Sequence, residues 1–165
     1  MGKSALIVVD VQNFYMNEHT KNLPEKISKF IEDNTFDFVL FTKFINNEQS
    51  SLSRHLNWNQ CSSPPDTDIV KSLSKFAKRN NTFEKNTYSA FKLKAFSKFL
   101  QDNSVTDMYF CGLDIDACIL ASAYEAFDLG YRTRVLSKLT LSHCGKTFEE
   151  NALRIINKNI QPDTM

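Results

Sequence analysis

Short apolar runs alternate with amphipathic stretches along the whole chain. "SALIVVDV" (4–11) and "DMYFCG" (107–112) are dense in branched, aromatic and other apolar residues, the pattern of strands buried on both faces. "FDFVLFTKF" (36–44), a brief "NTFEK" (81–85) and "TRVLS" (133–137) read as further strands. Between them apolar residues return at helical spacing. Leu23, Ile27, Phe30 and Ile31 form one such set, with Pro24 suited to a first turn. Ile69, Val70, Leu73, Phe76 and Ala77 predict a second helix, and Leu93, Phe96, Phe99 and Leu100 a third. Leu120, Ala123, Tyr124 and Phe127 line a fourth, closed by Gly130 at its C′ position. Phe148, Ala152, Ile155 and Ile156 mark the last, with Thr147 and Glu150 at capping-box spacing. The segment 45–65 is polar and irregular, ending in Pro64 and Pro65.

Strands alternating with helices predict an α/β fold, because parallel strands need crossover connections. The expectation is a doubly wound, Rossmann-like three-layer αβα domain with a mostly parallel sheet of five to six strands. No repeat, linker or low-complexity tract divides the 165 residues, so a single domain over 1–165 is expected. The ending "IQPDTM" is short for a full sixth strand.

Sheets of this kind bind ligands outside the carboxyl ends of their strands. Asp10 closes the first predicted strand, Lys85 follows the third, Gly112 ends the fourth, and Cys118 opens the helix beyond it. A thiol, a cation that favours its thiolate and a carboxylate able to move protons would thus meet on one rim, a set suited to covalent catalysis. A helix N-terminus beside the sulfur lowers a thiol pKa and offers N–H groups to an oxyanion. Asp116 is placed as the N-cap of that helix. Two aspartates beside the cysteine oppose thiolate formation.

Composition narrows the classes of partner. A formal net charge of +1 provides no field for nucleic acid or an anionic membrane. The lysines between Lys71 and Lys98 alternate with apolar residues on predicted helices and read as solvated faces. No run approaches the ~18 apolar residues of a membrane span, and no signal-peptide pattern opens the chain, so a cytoplasmic protein is expected. The four cysteines lack CxxC or metal-ligand spacing, which suggests neither zinc nor a disulfide scaffold. Cys61, Cys111 and Cys144 read as structural.

"ALIVVDVQNFY" (5–15), "KNTYSAF" (85–91) and "CGLDIDACILASAYEAFDLGYRTRVL" (111–136) resemble, in order and over nearly the whole chain, the motifs of the isochorismatase-like cysteine hydrolase superfamily, amidohydrolase branch. The resemblance implies a catalytic triad of Asp10, Lys85 and Cys118. It also implies a cis peptide at Leu113–Asp114 that aims the backbone N–H groups of Asp114 and Cys118 into an oxyanion hole. True isochorismatases lack the cysteine, so Cys118 points to hydrolysis of a C–N bond in a small molecule through a thioester. Family members usually carry a small or hydroxyl residue where Asp114 stands and Thr or Ser where Ile115 stands. An inactive binding protein of the same fold, or a thiol redox protein, is the competing reading.

Nicotinamidases of the superfamily hold a metal with an Asp-x-His pair after the second strand, plus a further histidine. This chain reads "FTKFINNEQSS" there, so no metal and no cofactor are expected, and His55 alone reads as a surface or packing residue. Gln12, Phe14, Phe44, Asn46, Trp58, Tyr88 and Phe91 are candidates for the pocket wall if 45–65 folds over it. The superfamily likeness and the small chain imply a homo-oligomer, a dimer first of all.

Overall fold

The computed structural model describes residues 2–160. Five strands form one sheet: β1 (Lys3–Val9), β2 (Phe38–Phe44), β3 (Thr82–Lys85), β4 (Val105–Gly112) and β5 (Arg132–Thr140). Their order is β3-β2-β1-β4-β5 and every pairing is parallel, so the fold is the doubly wound α/β type. The question of a sixth strand falls on 161–165, outside the described residues.

Alternation along β1 divides the core. Ala5, Ile7 and Val9 face one layer with Phe96, Leu100, Ala123 and Ile156, carried by helices α3 (Lys94–Asp102), α4 (Leu120–Asp128) and α5 (Lys146–Asn159). Leu6 and Val8 face the other layer with Leu23 and Ile27 of α1 (Leu23–Asp33) and with Val70 and Leu73 of the long connection after β2. Because both faces are covered, β1 is apolar without interruption from Ala5 to Val9, and the next polar residue is Asp10. Helix α4 ends in a Schellman motif, with Gly130 N–H donating to Phe127 O and Tyr131 N–H to Ala126 O.

Three expectations change. The helix expected over 69–77 is a short 3₁₀ turn, Lys71–Leu73. Its approach is tied to the chain after β1 instead: Val70 N–H donates to Val11 O, and Asp68 O accepts from Asn13 N–H. The irregular 45–65 segment contains a helix, α2 (Ser51–Leu56), capped by the Ser50 hydroxyl accepting from Ser53 N–H. Thr147 does not cap α5. Gly145 occupies the N-cap, and Thr147 lies inside the first turn.

Gly112 sets the exit from β4. Its φ is +110°, and a Cβ there would collide with the Val9 carbonyl oxygen and lie 2.9 Å from Val9 N. The close approach lets Leu113 N–H donate to Val9 O at 2.8 Å and delivers the following turn to the rim beside Asp10. Gly112→Ala is expected to destabilise the fold by about 2–3 kcal/mol, because it combines a disfavoured φ with a backbone clash. Thermal unfolding should show a Tm lower by roughly 5–10 °C.

Candidate active site

Parallel register aligns three strand ends. Val9 lies beside Thr42, and Phe44 beside Lys85, so the residue after β1 and the last residue of β3 reach the same rim. Asp10 turns out of the sheet with φ +49°. Its backbone N–H donates to Thr42 O, and the Thr42 hydroxyl donates to Asp10 Oδ1 at 2.6 Å. Lys85 Nζ donates to Asp10 Oδ2 at 2.6 Å, to Thr87 O at 3.0 Å and to Cys118 Sγ at 3.2 Å. Its three protons thus have three acceptors. The Lys85 and Asp10 side chains are 1% and 2% exposed, and the ammonium lies 5.2 Å from the centre of the Phe44 ring.

Cys118 arrives from the other half of the sheet. After β4 the Leu113–Asp114 peptide is cis. A π turn over Ile115–Ile119 follows, with Ile119 N–H donating to Asp114 O, and leads into α4. Asp114, not Asp116, stands at the N-cap position, and neither caps through its side chain. The Asp114 N–H donates to no group among the described residues, which leaves it available to a ligand oxygen.

The electrostatics differ from those expected of a helix start. Burial raises the Cys118 thiol well above the usual range; Lys85 lowers it and Asp10 raises it. Burial also pulls the Lys85 ammonium down, but Asp10 and Cys118 together hold it above the ordinary lysine value. The site thus holds a buried Lys85–Asp10 ion pair beside a thiol whose pKa is raised.

A cavity of about 310 Å³ opens above the sulfur. Phe44, Trp58, Tyr88 and Tyr15 form aromatic walls, Leu52 and Leu56 of α2 close one side, and Asp114, Asp116, His143 and Cys144 border it. Phe44, Trp58 and Tyr88 were legible from sequence as wall residues. Gln12, Asn46 and Phe91 are elsewhere. Gln12 is fully buried and bridges strands, donating to Phe44 O and Thr67 O while accepting from Phe44 N–H. Asn46 organises the α2 loop, donating to Trp58 O and accepting from the Ser50 hydroxyl. Phe91 packs in the core on Phe96 and Tyr131. Phe14 stands behind the wall, edge-on to Trp58. Cys61 and Cys111 are buried in the core, but Cys144 is exposed at the cavity rim.

Sequence reasoning missed two partners. Thr42 looked like a strand residue and holds Asp10. His143, in the loop after β5, donates its N–H to Asp114 Oδ1 at 2.8 Å and bonds Asp114 Oδ2 through Nδ1. Both carboxylate oxygens of Asp114 are thereby occupied, and its charge is directed at the imidazole.

The isochorismatase domain model matches residues 4–162. The chain therefore belongs to the isochorismatase-like hydrolase family. No curated protein sequence matches it. Among solved structures, a nicotinamidase of Bacillus subtilis is 24% identical, with a TM-score of 0.80 over 97% of this chain and 98% of that one. A pyrazinamidase of Pyrococcus horikoshii in complex with zinc is 21% identical, with a TM-score of 0.79 over 99% of each chain. An N-carbamoylsarcosine amidase of Thermoplasma acidophilum is 18% identical, with a TM-score of 0.71 over 94% and 93%.

A zinc site does not fit the residues present here. Among the described residues no three His, Cys, Asp or Glu side chains are grouped to hold a metal. Asn46, in the segment after β2, already has its side chain engaged, and His55 is on the exposed face of α2. No described helix is long and apolar enough to cross a membrane.

The Asp114 hydrogen bond raises the His143 pKa above 6.5, outweighing burial, which lowers it. A raised folded-state value stabilises the fold fully below pH 6.5 and loses that contribution as pH rises through it. Asp114→Asn is expected to return the His143 titration toward 6.5, read from its ring-proton chemical shift against pH. It should also flatten the dependence of stability on pH in that window.

Proposed function

We propose that the protein is an amidohydrolase that cleaves a non-peptide C–N bond of a small molecule, an amide, carbamoyl or ureido group, with Cys118 as the nucleophile. The observation that carries this reading is the bridge made by Lys85 Nζ between Asp10 Oδ2 and Cys118 Sγ at the base of the cavity. The amidase names of neighbours sharing the fold agree with C–N chemistry.

The substrate carbonyl oxygen sits against the backbone N–H groups of Asp114 and Cys118, which stabilise the oxyanion. Cys118 Sγ attacks the carbonyl carbon as its proton passes to Asp10. Collapse of the tetrahedral species breaks the C–N bond, and Asp10 returns the proton to the leaving nitrogen. Water then adds its oxygen to the thioester carbon and a proton to Asp10. The C–S bond breaks, the sulfur regains the proton, and the acid departs. Lys85 keeps the developing thiolate and the carboxylate in place throughout. Burial raises the thiol pKa, which favours passing the proton to Asp10 as the sulfur attacks.

Ammonia release from a panel of small primary amides, carbamoyl compounds and ureides tests the reading. Wild-type protein should turn over at least one class, with a rate unchanged by chelators. Cys118→Ala should lower kcat by roughly 10³-fold or more while leaving substrate binding nearly intact, since the lost group acts on the reacting carbon. Turnover that survives the substitution, or that falls on chelation and returns with zinc, would contradict it.

A further inference from the structure

The turn that carries Asp114 is stitched to the loop after β5. Leu141 N–H donates to Gly112 O, Ile115 N–H to Leu141 O at 3.0 Å, and His143 N–H to Asp114 Oδ1 at 2.8 Å. The His143 ring completes the set through Nδ1 on Asp114 Oδ2. On the other side of the turn, Leu113 N–H is held by Val9 O. Of the three consecutive amides 113–115, that of Asp114 alone has no acceptor among the described residues. The loop therefore fixes the backbone on both sides of one amide and leaves that amide open.

The residue that offers this N–H also carries a carboxylate. Because both belong to Asp114, the negative charge lies within a few ångströms of any oxygen the N–H binds. A like charge so close opposes an oxyanion. The Asp114 side chain is 9% exposed, so water screens it little. Lys85 is not placed to offset it, since its protons go to Asp10, Thr87 O and Cys118. His143 is placed to do so. It borders the cavity, its ring is edge-on to Tyr15 with centroids 5.2 Å apart, and its carbonyl accepts from Asn17 Nδ2 at 2.9 Å.

The groups around the imidazole are few. The Asp114 hydrogen bond raises its pKa above 6.5, burial opposes this, and the charges of Asp114 and Asp116 add to the rise. Tyr15 and Cys144, which adjoin the ring, are raised chiefly by burial, away from this pH window. Phe14, the remaining ring neighbour, does not titrate.

We propose that His143 is a positioning residue of the reaction, which holds the Asp114 amide in place for the oxyanion and, as an imidazolium, cancels the Asp114 carboxylate. The proposal rests on the reading that an oxyanion forms at the Asp114 N–H when Cys118 attacks. While His143 is charged, the pair it makes with Asp114 is neutral overall. Once His143 loses its proton, a full negative charge stands beside the oxyanion. Formation of the tetrahedral species is therefore favoured below the His143 pKa and weakens as pH rises through it.

Two reagents separate this from a general effect on the sulfur. Iodoacetamide alkylates Cys118: an S–C bond forms, iodide leaves, and no oxyanion arises. 4-Nitrophenyl acetate acylates it: the S–C bond forms, the ester C–O bond breaks, and 4-nitrophenolate leaves after the carbonyl oxygen has borne negative charge. Both reactions release the thiol proton, so the ratio of acylation to alkylation cancels the titration of the sulfur itself. Each rate is measured at Cys118 by peptide mass spectrometry, with Cys144 counted separately, and divided by that of free cysteine at the same pH.

In wild type the ratio should fall about tenfold as pH rises through the His143 titration, the scale of a unit charge at a partly buried site. His143→Gln retains a side-chain amide able to donate to Asp114. It should keep the ratio at the low value of wild type at high pH, with no inflection. Asp114→Asn should raise the ratio and carry its inflection down together with the His143 titration, followed by the ring-proton chemical shift. Near-UV circular dichroism establishes which variants fold, and either one suffices. If neither folds, coincidence of the wild-type inflection with the His143 titration decides.

A flat wild-type ratio across the His143 titration would overturn the proposal. So would an inflection that survives in folded His143→Gln or stays in place in folded Asp114→Asn. Equal slowing of both reactions in His143→Gln, with the ratio and its inflection unchanged, would reduce His143 to a structural part and overturn it too. Alkylation without acylation would remove the oxyanion hole on which the proposal rests. If Cys118 reacts with neither reagent, the nucleophile reading itself fails and the proposal falls with it.

Discussion

The buried ion pair between Lys85 and Asp10 is the constraint around which the site is arranged. Two charges so thoroughly withdrawn from water are tolerable only together, and removing either partner from such a pair typically destabilises a protein by about 3–5 kcal/mol. Their meeting depends on the parallel register of β1, β2 and β3, which brings the ends of the strands level. Thr42, from the strand between them, fixes the carboxylate, and Phe44 lies beneath the ammonium. Gln12 then knits the chain after β1 to Phe44 and Thr67. The sheet therefore places the carboxylate and the ammonium, and the second half of the fold contributes the sulfur.

That second contribution is a matter of backbone. Gly112 allows β4 to press against Val9, and the turn that follows brings Cys118 Sγ within 3.2 Å of Lys85 Nζ. The sulfur is buried and shared between a cation and an anion, so its pKa rises rather than falls. A helix dipole acting alone suggested the opposite sign. The difference matters for the proposed mechanism. In that mechanism the raised pKa favours ionisation of the thiol as it reacts, with Asp10 accepting the proton.

Much of this was legible in the chain itself. Asp10, Lys85 and Cys118 stood out because reactive residue types fell where apolar strands end, and strand ends in a parallel sheet converge whatever the intervening sequence. The Gly130 stop and the two-sided burial of β1 were legible for similar reasons, being local patterns. What escaped was set by partners distant in sequence. Nothing in "HCG" announces that His143 takes up both oxygens of Asp114, twenty-nine positions earlier. Gln12 and Asn46 looked like pocket residues because they are polar and near the rim, yet unsatisfied backbone groups of neighbouring segments claim their side chains. The apolar spacing over 69–77 suggested a helix, but the hydrogen bonds linking residues 66–70 to the segment after β1 prevailed.

The central claim is that Asp10, Lys85 and Cys118 form one electrostatically coupled unit. The most direct measurement is the pH dependence of iodoacetamide labelling at Cys118 in wild type, Lys85→Ala and Asp10→Asn. Removing the cation should move the labelling midpoint to higher pH, and neutralising the carboxylate should move it to lower pH. A tenfold change in the proton concentration at the midpoint corresponds to about 1.4 kcal/mol between thiol and thiolate. Coincident profiles in all three proteins would contradict the account.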